Sequence, residues 1–152
     1  PWLFSGTLRD NVAMGQDDCS EEQVINCLRA AGADFMGDGT GGELDFFIQD
    51  QGSNLSGGQK QAVMMARALA FNPEVYLFDE PTSAMDGLTE AQVINHLTSH
   101  LAGKTLLIVT HKMPVVDMCD RVLVMDEGKI VGDGSKESYF EILKKRSEQR
   151  QN

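Results

Sequence analysis

Two adjacent acids, Asp79 and Glu80, end the short apolar run Val75-Tyr76-Leu77-Phe78. Ligands of open α/β sheets bind outside the carboxyl ends of strands, so an acid pair there stands where a ligand would arrive. One carboxylate can hold Mg²⁺ through water, and its neighbour can orient and polarise a nucleophilic water. Shortly upstream, Asn54-Leu55-Ser56-Gly57-Gly58-Gln59-Lys60-Gln61 puts two glycines where a helix begins. Glycine lets the backbone come close to a ligand, and the unpaired N–H groups and positive dipole end of a helix favour phosphate. His111 directly follows the apolar run that starts at Thr105, which assigns it to the same sheet edge as Asp79 and Glu80. A capped turn, an acidic turn or a histidine is commonplace alone, and His96 and His100 read as structural. Their spacing sets the others apart: a Ser-Gly-Gly helix ends shortly before an apolar strand with Asp-Glu at its tip.

The elements that must position these groups follow from periodicity and punctuation. Residues 6–13 open a short helix. Ser20 followed by Gln23 is a capping-box pattern, and Val24, Cys27, Leu28 and Ala31 then share one helical face. Glycines crowd the stretch from Gly32 to Gly52, which reads as loop with one extended piece at Leu44-Asp45-Phe46-Phe47-Ile48. Ser56 caps a helix running to about Phe71, with Ala62, Val63, Ala66, Leu69 and Ala70 inward, and Asn72-Pro73 stops it. Val75–Phe78 is expected as a strand buried on both faces. Leu88, Ala91, Ile94, Leu97 and Leu101 mark a helix. Thr105–Thr110 and Arg121–Met125 are two further buried strands, and Asp126-Glu127-Gly128-Lys129 is a hairpin turn into Ile130-Val131. Ser135 opens a charged last helix with Tyr139, Phe140, Ile142 and Leu143 available for docking. Strands alternating with helices imply an α/β fold with parallel strands.

The bulk properties bound the function. The chain has 152 residues, 41% hydrophobic and 24% charged, which suits one globular domain. No apolar run approaches the roughly 20 residues that span a bilayer. A net charge of −10 argues against binding nucleic acid or anionic lipid through a basic surface. Cys19, Cys27 and Cys119 form no C-x-x-C pair and are odd in number, so neither a disulfide framework nor a zinc site is expected, and a reducing compartment fits. Pro1 opens the chain with no Met and no signal segment, as expected of a piece of something longer.

Together these motifs resemble the nucleotide-binding domain of an ABC transporter, in its C-terminal part. Leu55-Ser56-Gly57-Gly58-Gln59 resembles the signature motif, Leu77-Phe78-Asp79-Glu80-Pro81 Walker B with its catalytic glutamate, Ser83-Ala84-Met85-Asp86 the D-loop, and Thr110-His111 the switch histidine. Pro1 to Asn11 is similar to the segment that follows the Q-loop in exporter-type domains. The order agrees along essentially the whole chain.

The resemblance implies a partial P-loop NTPase fold: a RecA-like parallel-sheet core with the ABC α-helical subdomain. The helical subdomain and signature helix would occupy residues 1–70, the core strands 71–134, and a C-terminal helix 135–152. It also implies ATP and Mg²⁺ as ligands, and head-to-tail pairing with a second nucleotide-binding domain. Ser56, Gly57, Gly58 and Gln59 would then contact ATP held by the partner, and Asp86 would reach across the pair. Asp79 would face Mg²⁺ through water, Glu80 would be the general base, and His111 would sense the γ-phosphate. The expected activity is ATP hydrolysis driving export, most similar to the ATPases of type I protein or peptide secretion. A lipid or drug exporter is the rival, and a soluble ABC ATPase an alternative of another class. The partners implied are a transmembrane domain and a periplasmic adaptor, with no nucleic acid, at the cytoplasmic face of the plasma membrane.

The phosphate-binding loop G-x-x-x-x-G-K-[ST] is not found and is expected upstream, so the segment by itself is expected to be inactive. Thr98-Ser99-His100-Leu101-Ala102-Gly103-Lys104-Thr105 comes nearest, but it lacks the first glycine and runs from helix into strand, the reverse of the required context. Lys60, Met85 and Lys112 depart from the family's usual residues without removing a catalytic group.

Overall fold

The computed structural model describes residues 2–33, 42–137 and 139, and the chain divides into two compact units, Pro1–Val109 and Thr110–Asn152.

In the first unit, strand β1 (Gly6–Thr7) pairs antiparallel with β2 (Phe47–Ile48). Helix α1 starts only at Leu8 and runs to Ala13. Its cap is reciprocal: Thr7 Oγ1 accepts from Asp10 N, and Asp10 Oδ2 accepts from Thr7 N, both at 3.0 Å. An N-cap residue keeps extended dihedrals, so Gly6 and Thr7 join a sheet instead of the helix expected from residue 6. The same bonds to Thr7 hold the Asp10 carboxyl below its ordinary pKa. Helix α2 (Glu21–Ala30) is capped by Ser20 as expected, and Val24, Cys27, Leu28 and Ala31 are all buried. Burial, with Cys19 close by, pushes the Cys27 thiol up to about 11, so it serves as a small apolar core group. Only Phe47 and Ile48 of the expected extended piece are strand; Gly42–Asp45 closes a 3₁₀ turn. Residues 34–41 of the glycine-rich stretch lie outside the described residues.

Helix α3 (Gly57–Ala70) is the axis of this unit, because α1 and α2 both pack on it. The expected inward residues are buried, and Met65 joins them. Strand β3 (Val75–Asp79) leads to helix α4 (Gly87–His100) and strand β4 (Thr105–Val109), and β3 and β4 pair in parallel. That is the parallel α/β unit the alternation implied. Two expectations are corrected here. Neither strand is buried on both faces: Tyr76 and Phe78 are inside, while Leu77 is 70% exposed and Leu107 54%. Side chains alternate along a strand, and only one side of β3 is buried. The core stripe of α4 is also shifted, with Val93, Leu97 and Leu101 inside and Leu88 and Ala91 outside. Gly32, at φ +73°, explains the shift: a Cβ there would lie 2.5 Å from Val93 Cγ2, so α4 meets the end of α2 through Val93.

The second unit opens with the short helix α5 (Met113–Val116), whose Val115 and Val116 are buried. Strands β5 (Val122–Asp126) and β6 (Lys129–Gly134) form a hairpin. Glu127 and Gly128 both have positive φ (45° and 74°), as a two-residue type I′ turn demands. The expected third buried strand is therefore antiparallel to its neighbour, with Leu123 and Met125 exposed, because a tight turn returns the chain on itself. Arg121 grips Asp133 of β6 in a forked pair at 2.6 and 2.7 Å. Ser135 opens a helical turn, its carbonyl accepting from Tyr139 N at 3.2 Å; Phe140, Ile142 and Leu143 lie outside the described residues.

Candidate active site

At the start of α3, Ser56 takes the extended dihedrals of a cap residue. Its Oγ accepts from Gln59 N at 3.2 Å, and Gln59 Oε1 accepts from Ser56 N at 2.8 Å. This closed capping box satisfies the Ser56 and Gln59 amides and leaves Gly57 exposed at the positive end of a 14-residue helix. Asn54 fixes the approach: its Oδ1 accepts from Gln49 N and its Nδ2 donates to Phe47 O, each at 2.9 Å. Leu55 is buried between these polar anchors.

The acid pair stands at the carboxyl end of β3, as expected, with Asp79 exposed. Glu80 has φ +48°, a left-handed backbone unusual for a residue with a side chain, and its N–H donates to Val109 O of β4 at 2.8 Å. The chain then turns through Pro81–Met85. The glycine helix start and the loop that follows the acid pair are brought together here. A Cβ on Gly58 would lie 2.8 Å from the Ala84 carbonyl oxygen, so only glycine lets α3 come this close. Gln61, one turn further along α3, reaches the same loop. Its Nε2 donates to Glu80 O at 2.8 Å and to Ser83 Oγ at 2.9 Å, while its Oε1 accepts from Ala84 N at 3.1 Å.

Gln61 is the residue the sequence reading passed over. Within Gln59-Lys60-Gln61 it looks like part of a solvated polar run. The available signal was positional: Gln61 stands four residues after Gly57, on the helix face that carries the glycines. Arg67, a lone charge within the apolar run from Val63 to Ala70, was overlooked as well. Its guanidinium donates to Asn11 O (2.7 Å), Asn11 Oδ1 (3.0 Å) and Trp2 O (2.9 Å), which ties the first residues of the chain to α3. Burial lowers its pKa.

Asp86 caps α4, with Oδ1 accepting from Leu88 N and Thr89 N at 3.0 Å and Oδ2 from the Thr89 hydroxyl at 2.8 Å. These bonds, the Thr89 amide first, hold its carboxyl below the ordinary value. His111 belongs to the second unit, in the turn where Lys112 N donates to Thr110 Oγ1 at 3.1 Å. His96 Nδ1 stands 3.1 Å from Arg29 O, a structural contact in keeping with its reading. The rejected Thr98–Thr105 string does run from α4 into β4, and its Lys104 pairs with Glu74 at 2.7 Å.

Among the described residues, no three His, Cys, Asp or Glu side chains converge as a metal cage. Mg²⁺ keeps several waters and takes one or two carboxylates plus substrate phosphates. Asp79 at the strand end offers one such hard oxygen ligand. No helix among the described residues is long and apolar enough to cross a membrane.

Comparison with known proteins agrees with this geometry. Residues 4–83, over half of the chain, match the family model described as ABC transporter. The chain is 40% identical over 143 residues to ABC transporter B family member 15 of Arabidopsis thaliana, covering 92% of this chain and 12% of that protein. It is 37% identical over 133 residues to the leukotoxin translocation ATP-binding protein LktB of a Pasteurella haemolytica-like species, covering 87% and 19%. A bacterial Atm1-family ABC exporter solved with ATP bound superposes with a TM-score of 0.81 at 32% identity, over 95% of this chain and 25% of that one. This chain thus spans between 12% and 25% of these relatives' lengths. With the motifs in order, the glycine helix start packed on the strand-tip loop and the family model matched across both, this chain belongs to the ABC transporter family.

Proposed function

We propose that this chain is part of a nucleotide-binding domain that hydrolyses ATP to drive export through a transmembrane domain. The observation that carries the proposal is the packing of Gly58 on Ala84, which sets a phosphate-favouring helix start beside a strand tipped with two acids. In this reading residues 1–70 serve as the helical part, 71–134 as the core and 135–152 as a C-terminal segment.

The roles follow the chemistry of phosphoryl transfer to water, where positioning and charge neutralisation supply most of the catalysis. Glu80 orients a water and takes its proton as the water oxygen bonds to the γ-phosphorus. The bond from that phosphorus to the bridging oxygen breaks, and ADP leaves with the electron pair. Asp79 would hold Mg²⁺ through water, and the ion when bound neutralises charge on the phosphate oxygens. His111 senses the γ-phosphate. Two domains pair head to tail, so that Ser56, Gly57, Gly58 and Gln59 meet ATP held by the other copy, and Asp86 faces it across the pair. Asp86 can do so only while also capping α4.

For cargo, we propose secretion of a protein or peptide, supported by the relative named for leukotoxin translocation. In this reading the domain works at the cytoplasmic face of the plasma membrane, with a periplasmic adaptor as a further partner. A lipid or drug exporter is the second reading, supported by a relative named multidrug resistance protein 1 of Entamoeba histolytica, 37% identical over 158 residues.

The experiment is Glu80→Gln in the full-length protein. ATP affinity should stay within about threefold, turnover should fall by about 10²–10⁴-fold, and the closed pair of domains should accumulate. Hydrolysis at the parent rate would remove Glu80 from the base role.

A further inference from the structure

We propose that Gln61 is a positioning residue for hydrolysis: its side-chain amide locks the backbone of Glu80 and couples the helix that begins at Ser56 to the loop that follows Glu80. The inference rests on the proposed role of Glu80 and extends it to a residue on a different element.

Three observations carry it. Glu80 sits at φ +48°, a left-handed region that disfavours side-chain-bearing residues, so something outside its own dihedrals must hold it. Val109 fixes its amide from one side through the 2.8 Å bond across β3–β4. Gln61 fixes its carbonyl from the other, and with the same amide also holds Ser83 Oγ and Ala84 N, so one planar group spans the whole turn after Glu80. The contact is directional. The NH₂ end of the amide must face the Glu80 carbonyl and Ser83 hydroxyl, and the oxygen end must face the Ala84 amide. Close approach at Gly58 sets the distance at which that fit is possible. A shift of α3 along its axis would therefore drag the Glu80 carbonyl and Ala84 amide together. Whatever is read at the Ser56–Gly57 end of α3 reaches the water-orienting carboxylate through Gln61.

The chemistry supplies a test that a merely structural residue would not meet. Gln61→Glu keeps the acceptor for Ala84 N but, when ionised, puts a carboxylate oxygen against the Glu80 carbonyl. Protonation restores an O–H donor. In the full-length protein, Gln61→Glu and Gln61→Ala should each lower kcat for ATP by about tenfold or more while KM changes by less than about threefold. The Gln61→Glu deficit relative to the parent should shrink as pH falls from about 7 to about 5, where roughly a sixth of a carboxyl with the ordinary glutamate value near 4.3 is protonated, whereas the Gln61→Ala deficit should not. Amide hydrogen exchange gives a readout free of turnover: the Ala84 N–H should exchange faster in Gln61→Ala and stay protected in Gln61→Glu. Parent-like kcat in both variants, with Glu80→Gln inactive, would overturn the positioning role and leave the Glu80 assignment standing. Parent-like turnover in Glu80→Gln would overturn both. Equal, pH-independent losses in the two Gln61 variants, with Ala84 exchange unchanged, would reduce Gln61 to a packing residue and refute the coupling.

Discussion

Within the first unit, the α1–α2–α3 helices and the β3–β4 pair show opposite ways of holding functional groups. Leu8, Val12, Val24, Val63 and Leu69 are at most 1% exposed, so the helices around α3 lock one another by close packing. The strand pair is closed on one side only: Tyr76 and Phe78 are buried, while Val75, Leu77, Leu107 and Val109 are 54–70% exposed. The body of the helix that carries the signature residues belongs to the first kind of environment and the acid pair to the second. Hydrogen bonds to the backbone stand in for missing packing at Glu80, where Val109 and Gln61 grip the peptide from two elements. Close packing holds the helix bodies; directional bonds fix the strand tip.

The largest effect should come from testing the packing contrast directly. Leu69→Ala in the 152-residue chain should lower unfolding free energy by about 2–5 kcal/mol. Leu77→Ala, the same chemistry on the uncovered strand face, should change it by less than about 0.5 kcal/mol. Denaturant titration of both variants checks this, and equal losses would break the contrast.

A smaller effect should separate the two glycines. A methyl on Gly58 runs into the Ala84 carbonyl oxygen, so Gly58→Ala should cost about 1–3 kcal/mol. Gly57→Ala meets only the Ala84 Cβ at an ordinary 3.5 Å and should be near neutral, within about 0.5 kcal/mol. Thermal melts of the pair sharpen the point that the loop after Glu80 is placed by backbone contact.

The smallest effect is a pH slope. Asp86 has a carboxyl pKa depressed by its cap bonds, so its contribution to stability is present above the unfolded value of 3.8 and is lost as pH falls through the lower folded value. Asn caps helices about as well as Asp, so Asp86→Asn should melt like the parent at neutral pH and lose less between about pH 5 and about pH 3. An unchanged slope would mean that the bonds to Leu88 and Thr89 do not favour the ionised form.

Local chemistry made much of this legible in advance. Ser20 and Ser56 declared their helices because a cap is a short-range bargain between a hydroxyl and an amide three residues on. The Asp-Glu-Gly-Lys turn declared its hairpin because two left-handed residues in a row suit so few sequences. What failed were statements about faces. Leu88 and Ala91 fit a helical stripe as well as Val93 does, and only Gly32, just past the end of α2, picks Val93. Leu77 and Phe78 read alike as strand residues, and one is inside and the other out.

The sequence by itself determined which groups are present and which elements carry them: a capped glycine helix start, an acid pair ending a strand, Asp86 ahead of a helix. Such facts are settled by neighbours a few residues apart. Only the tertiary structure decided that Gly58 must accept the Ala84 carbonyl and that Gln61 spans Glu80, Ser83 and Ala84. Those contacts join residues 19 to 23 positions apart in the pairs Gln61 makes. Side-chain identity carries no record of a partner at that range, because the distance between them is fixed by how α3 packs against the turn after β3.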